Sequence, residues 1–136
     1  MPRLTVLMLV LIVSACSSLP TRELNPIEAP VKGSVIGYPS VVSALEDLKR
    51  NPDAKVRVED GWTIINIQTS ERHELWSFTP VTHPAHPAVV KRSIIEDNEK
   101  ISIVTNALCQ ANKIECDALI SQFEELNQRI TERMKK

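Results

Sequence analysis

Three histidines, His73, His83 and His86, carry the chain's most obvious metal-ligand chemistry, and two of them lie three residues apart in "THPAHPA". The surrounding prolines bias that segment toward polyproline II, which has about three residues per turn, so the two rings would share a side with their backbones roughly 9 Å apart. Two imidazoles at that spacing can approach one ion, but a catalytic zinc normally takes three protein ligands. His73 or Glu74 is the candidate third. Because the spacing delivers neither of them to the pair, the preferred expectation for "HPAHPAVVKR" is a stiff connector whose rings pack on neighbours or face water. A metal site on His83, His86 and His73 is the rival.

Other chemistry is thinner. No serine sits in a Gly-flanked elbow, no glycine loop cradles a phosphate, and the chain has three glycines in all. The adjacent carboxylates Glu59-Asp60 and Glu96-Asp97 fall at expected turns, where solvated charge is the ordinary outcome and nothing splits their pKa values as an acid–base pair requires. No catalytic residue and no cofactor is therefore expected. Trp76 and Phe78, followed by Lys91-Arg92, have the composition of a binding surface, aromatic anchors beside cations. In a chain with two Trp, two Phe and one Tyr, the same aromatics are needed for the core between sheet and helix, and that reading is preferred.

The elements that must position these residues read as α+β. Ser40 is a natural helix cap, and Val41, Val42, Leu45 and Leu48 share one helical face before Asn51-Pro52 ends it. "AKVRVEDGWTIINIQ" alternates around Asp60-Gly61, the strongest local hairpin signal, which opposes Glu59 to Trp62, Val58 to Thr63 and Val56 to Ile65. "HELWSFT" is a third strand, with Trp76, Phe78 and Glu74 on one face and Leu75 and Ser77 on the other. "AVVKRSII" and "KISIVTNALC", joined at "EDNE", complete an antiparallel sheet of about five strands. Asn112 with Glu115 three residues on forms a capping box. The apolar stripe Leu119, Ile120, Phe123, Leu126, Ile130 and Met134 then predicts a long C-terminal helix packed on the sheet.

The ends of the chain address its location. "MPRLTVLMLVLIVSAC" has one cation at Arg3, an apolar run from Leu4 to Val13 and small residues Ser14 and Ala15, the layout of a secretory signal peptide over residues 1–15. That run is about half the length of a membrane-spanning helix. Residues 16–38, with Pro20, Pro26 and Pro30 and two of the three glycines, read as a flexible linker, leaving residues 39–136 as a single domain. With 16 basic and 17 acidic residues the chain has no electrostatic footprint for nucleic acid.

Val13-Ser14-Ala15-Cys16 resembles the lipobox of bacterial lipoproteins, departing from the usual pattern only in Val13 where Leu is common. The resemblance implies cleavage before Cys16, lipidation of its thiol and a membrane anchor made of acyl chains, which hold stably when two or three are present. Ser17 and Ser18, rather than an Asp, follow the cysteine and imply the outer membrane with the domain facing the periplasm. With Cys16 taken by lipid, Cys109 and Cys116 remain as an even pair in a compartment where disulfides persist. The run "WSFTPVTHPAHPAVVKR" is also similar to one in small uncharacterised proteobacterial envelope proteins, a likeness that implies a secreted α+β domain and carries no site residues. The combined expectation is a non-enzymatic lipoprotein acting as an interaction or envelope-assembly module on another envelope protein. The rivals are a metal-binding lipoprotein and a small envelope enzyme with a site the residues do not announce.

Overall fold

A computed structural model describes residues 35–98 and 100–135. The expected signal peptide, Cys16 and the linker up to Ser34 lie outside the described residues. The elements are α1 (Val41–Arg50), β1 (Ala54–Glu59), β2 (Trp62–Gln68), β3 (His73–Phe78), β4 (Ala88–Asp97), β5 (Lys100–Cys109) and α2 (Lys113–Met134). The strands form one antiparallel sheet in chain order, β1-β2-β3-β4-β5. Among the described residues no helix is long and apolar enough to cross a membrane.

Local chemistry explains each boundary. The Ser40 hydroxyl accepts from Ser43 N–H while the Ser43 hydroxyl takes the Ser40 N–H, a reciprocal cap that satisfies two free amides at the start of α1. Asp60 (φ 49°) and Gly61 (φ 82°) both adopt the left-handed region. A two-residue hairpin of that geometry matches strand twist, and it yields the expected opposition of Glu59 to Trp62 and Val56 to Ile65. At the start of α2 the Asn112 side chain accepts from Glu115 N–H.

The two helices cover opposite faces of the sheet. On one face Val41, Ala44 and Leu48 of α1 close over Ile65, Ile67, Trp76, Phe78 and Val89. On the other, Leu119 and Phe123 of α2 close over Ala88 and Val90, with Trp62 and Ala107 alongside. Trp76 and Phe78 therefore fill a core, but the core beneath the short helix and not the one beneath the long helix. Alternation along β3 put them on one face together, and both faces had a helix to claim them.

Packing on the α1-side core includes residues before Pro39. Ile36 is buried with the α1-side core and Tyr38 packs against it, with its ring edge-on to Trp76 at 5.7 Å. Gly37 and Pro39 give this stretch a linker's composition, yet Ile36 and Tyr38 alternate and place two large apolar groups on the same core.

Cys109 at the end of β5 and Cys116 in the first turn of α2 are joined, S–S 2.00 Å, so strand and helix are stapled. The closed loop is short, and the chain-entropy account gives it about 2.5 kcal/mol. The double variant Cys109→Ser, Cys116→Ser is expected to lose about that much stability, measured as a lower urea midpoint at similar slope. An unchanged midpoint under oxidising conditions would refute the staple's contribution.

Candidate functional site

The side chains with chemical potential divide by strand parity. Trp76 and Lys91 are register partners on β3 and β4, and Glu74 is one step diagonal to Lys91 on the same face. The Lys91 ammonium donates to Glu74 Oε1 at 2.7 Å, and Trp76 Nε1–H donates to Oε2 at 3.2 Å. Lys91 also sits over the Trp76 ring, 5.0 Å from its centroid. Both carboxylate oxygens are thus engaged by donors, and the three side chains form one closed unit. The pair is mostly buried, with side-chain exposures of 21% for Lys91 and 12% for Glu74.

Above this unit lies a cleft of about 320 Å³, walled by Ile36, Tyr38, Leu48, Asn51 and Arg72. It presents an aromatic edge, an amide and a guanidinium around the buried ion pair. The set offers apolar area from the rings, direction from the amide and charge from Arg72. With Lys91 on one Glu74 oxygen and Trp76 on the other, the carboxylate anchors both neighbours.

Tyr38 forms the wall nearest the chain's entry into the domain, and its hydroxyl donates to Asp47 Oδ2 at 2.9 Å. Burial raises its phenol above the ordinary value, and the Asp47 hydrogen bond raises it further. A raised phenol means the folded state prefers the neutral form. Its contribution to stability is therefore complete below about pH 10 and lost as pH climbs through the folded value. This is the chain's one tyrosine, so an ultraviolet titration reads it directly. Its midpoint is expected above that of a free tyrosine and should move back toward it in Asp47→Asn; a midpoint indifferent to Asp47→Asn would remove the hydrogen bond from the account.

The four residues expected to form a binding surface do not stay together. Trp76 and Phe78 are 2% and 3% exposed, so neither presents its ring to solvent as a patch. Lys91 and Arg92 are neighbours in a strand and point to opposite faces. Arg92 crosses to the α2 side, where its guanidinium lies 5.3 Å from the Phe123 ring centroid. Burial lowers its pKa, and Arg57 on the same side lowers it further. What survives of the expected surface is Trp76 with Lys91, now joined by Glu74.

The three histidines part company. Residues 80–86 are two successive tight turns, with His83 N–H bonded to Pro80 O and His86 N–H to His83 O, instead of an extended polyproline segment. Pro84 at the second position of the latter turn has its φ already suited to it. His83 stacks edge-on to Trp62 at 5.2 Å and its Nδ1 accepts from Ala85 N–H. The His86 Nδ1 lies 3.1 Å from Thr79 O, and His73 stands in β3 on the α2 side of the sheet. Among the described residues no three His, Cys, Asp or Glu side chains gather as a metal site. The His83 and His86 rings are fastened to separate partners and His73 lies in the sheet, so the three are not gathered on one point.

Tyr38, Asn51 and Arg72 escaped the reading of the residues. Arg72 sits just before β3 and Asn51 just after α1, positions where a polar residue is unremarkable until the fold brings them to one rim. Compared with protein-family models, with curated proteins and with solved structures, the chain matches none.

Proposed function

We propose that this chain is an outer-membrane lipoprotein whose periplasmic domain is a non-enzymatic interaction module. The observation that carries the reading is the cleft over Glu74, Trp76 and Lys91, whose outer wall, Ile36 and Tyr38, is the segment through which the chain enters the domain. A partner bound there would be held close to the tether. The leader with Cys16 supports the anchor, and the Cys109–Cys116 bond is suited to an oxidising compartment.

Two experiments test this reading. Growth with a fatty-acid probe should label the wild-type protein and not Cys16→Ala; a Cys16→Ala protein that stays labelled defeats the anchor. For the cleft, a photo-crosslinking residue in place of Arg72 should capture one recurrent envelope protein in cells, while the same residue in place of exposed Glu124 on α2 should not. Equal capture at both positions, or none at either, would count against a module that works through this cleft.

A further inference from the structure

The outer edge of β1 has the backbone pattern and side chains of a strand-acceptor site. Among the described residues β1 ends the strand order and pairs only with β2. In a two-residue hairpin the residues flanking the turn, Glu59 and Trp62, form a hydrogen-bonded pair, and such pairs alternate along the ladder. Glu59, Arg57 and Lys55 therefore direct their backbone groups to β2, while Val58 and Val56 direct theirs outward. The Ala54 N–H, next in the outward series, is bonded instead to Asn51 O, as that parity requires.

Side chains along this edge alternate as sharply. Val56 and Val58 are 46% and 70% exposed on the α1 side, and Thr63, the register partner of Val58, lines a groove of about 500 Å³ between α1 and the 79–87 connector. Lys55 and Arg57 stand on the opposite side, where Arg57 has an exposed pairing with Glu59 at 3.2 Å that contributes little and exchanges readily.

We infer that this edge accepts an extended peptide strand of a partner in which apolar and acidic residues alternate. The apolar set would lie against Val56 and Val58, the acidic set against Lys55 and Arg57, and the peptide backbone would take up the Val56 and Val58 amides and carbonyls. This is strand addition, in which main-chain bonds supply affinity and alternate side chains supply specificity. A second copy of the chain lacks the full alternation of apolar and acidic residues, since β1 itself carries Lys55 and Arg57 between its apolar positions. Antiparallel pairing that overlaps most of β1 sets Arg57 opposite Arg57 between two Lys55–Glu59 pairs, a shift one way sets Lys55 opposite Arg57 twice, and a shift the other way runs into the Asp60-Gly61 turn. Like charges directly opposed are destabilising, and basic residues on an edge are a known guard against self-pairing.

The inference rests on the domain being an interaction module, but its test is independent of the anchor and the cleft. The probe is a labelled seven-residue peptide alternating valine and glutamate, blocked at both ends, titrated into the disulfide-intact protein and followed by anisotropy. Saturable binding is expected, about tenfold or more weaker for the version with lysine in place of glutamate, and Arg57→Glu should reverse that preference. Amide exchange at Val56 and Val58 should slow about tenfold at a free peptide concentration about ten times Kd. Val58→Pro, which removes an outward N–H and no ladder bond, should abolish binding while leaving the urea midpoint close to wild type. Equal affinity for both peptides, binding without slowed exchange at Val56 and Val58, or a wild-type homodimer that is lost in Val58→Pro would each overturn the proposal.

Discussion

Trp76→Ala is expected to cost about 3–5 kcal/mol, enough to leave a domain of this size at the margin of folding. Trp76 is 2% exposed and lies at the centre of the α1-side core, beside Ile65 in the ladder and edge-on to Tyr38. Truncation removes the largest side chain of that layer, and the remaining groups, held by α1 above and β2 beside, can close the void only partly. It also takes away the donor to Glu74 Oε2 and the ring beneath Lys91. Trp76→Phe separates these contributions. It keeps most of the apolar volume and loses the indole N–H, so the cost should fall to about 1–3 kcal/mol, the penalty of an acceptor deprived of its partner. The pair of variants should be compared by urea denaturation followed by far-ultraviolet circular dichroism, since Trp76 is one of the two indoles that fluorescence would read. Equal losses for the two substitutions would mean that volume plays no part, and a loss under about 1 kcal/mol for Trp76→Ala would contradict its central place in the core.

How much of this was legible in the residues differs from element to element. Asp60-Gly61 specified the first hairpin and its register, because two residues in the left-handed region admit few alternatives. Period-2 alternation likewise put Trp76, Phe78 and Glu74 on one face of β3. The same rule puts Lys91 and Arg92 on opposite faces of β4, so grouping them into a single patch neglected a constraint already present in their adjacency. Which helix covers which face was not legible, since α1 and α2 both carry an apolar stripe and nothing local distinguishes the two sides of a sheet. The prolines of "THPAHPA" are compatible with both polyproline II and tight turns. The choice is made by Thr79, whose N–H and hydroxyl bond to Ala88 O while its oxygen accepts from Ala88 N–H, drawing the ends of the connector together.

The site itself was the least legible part, for a reason of geometry. Glu74 and Lys91 are 17 positions apart and meet only through the β3–β4 register, which depends on the length and turns of the connector between Phe78 and Ala88. Tyr38 and Asn51 reach the same rim through the packing of α1, and Arg72 through the turn before β3. The approaches of Tyr38, Asn51 and Lys91 to Glu74 are long-range, and composition along the chain carries no trace of them.

Glu74 offers the sharpest separation of stability from function. Glu74→Ala is expected to destabilise the domain by about 3 kcal/mol, because it leaves the mostly buried Lys91 ammonium without a counter-charge and the Trp76 N–H without an acceptor. Replacing both partners by apolar side chains of similar length, Glu74→Leu with Lys91→Met, should recover most of that loss, since neither charge then has to be desolvated. The double variant would keep the walls of the cleft, Tyr38, Leu48 and Asn51, and lose its charged floor. If the ion pair serves partner recognition, this well-folded protein should stop capturing the partner through the residue placed at Arg72. A double variant as unstable as Glu74→Ala would instead show that the pair holds the fold in a way hydrophobic groups cannot replace. A stable double variant with undiminished capture would move recognition away from the floor of the cleft and onto its rim, where Tyr38 and Asn51 would be the next residues to change.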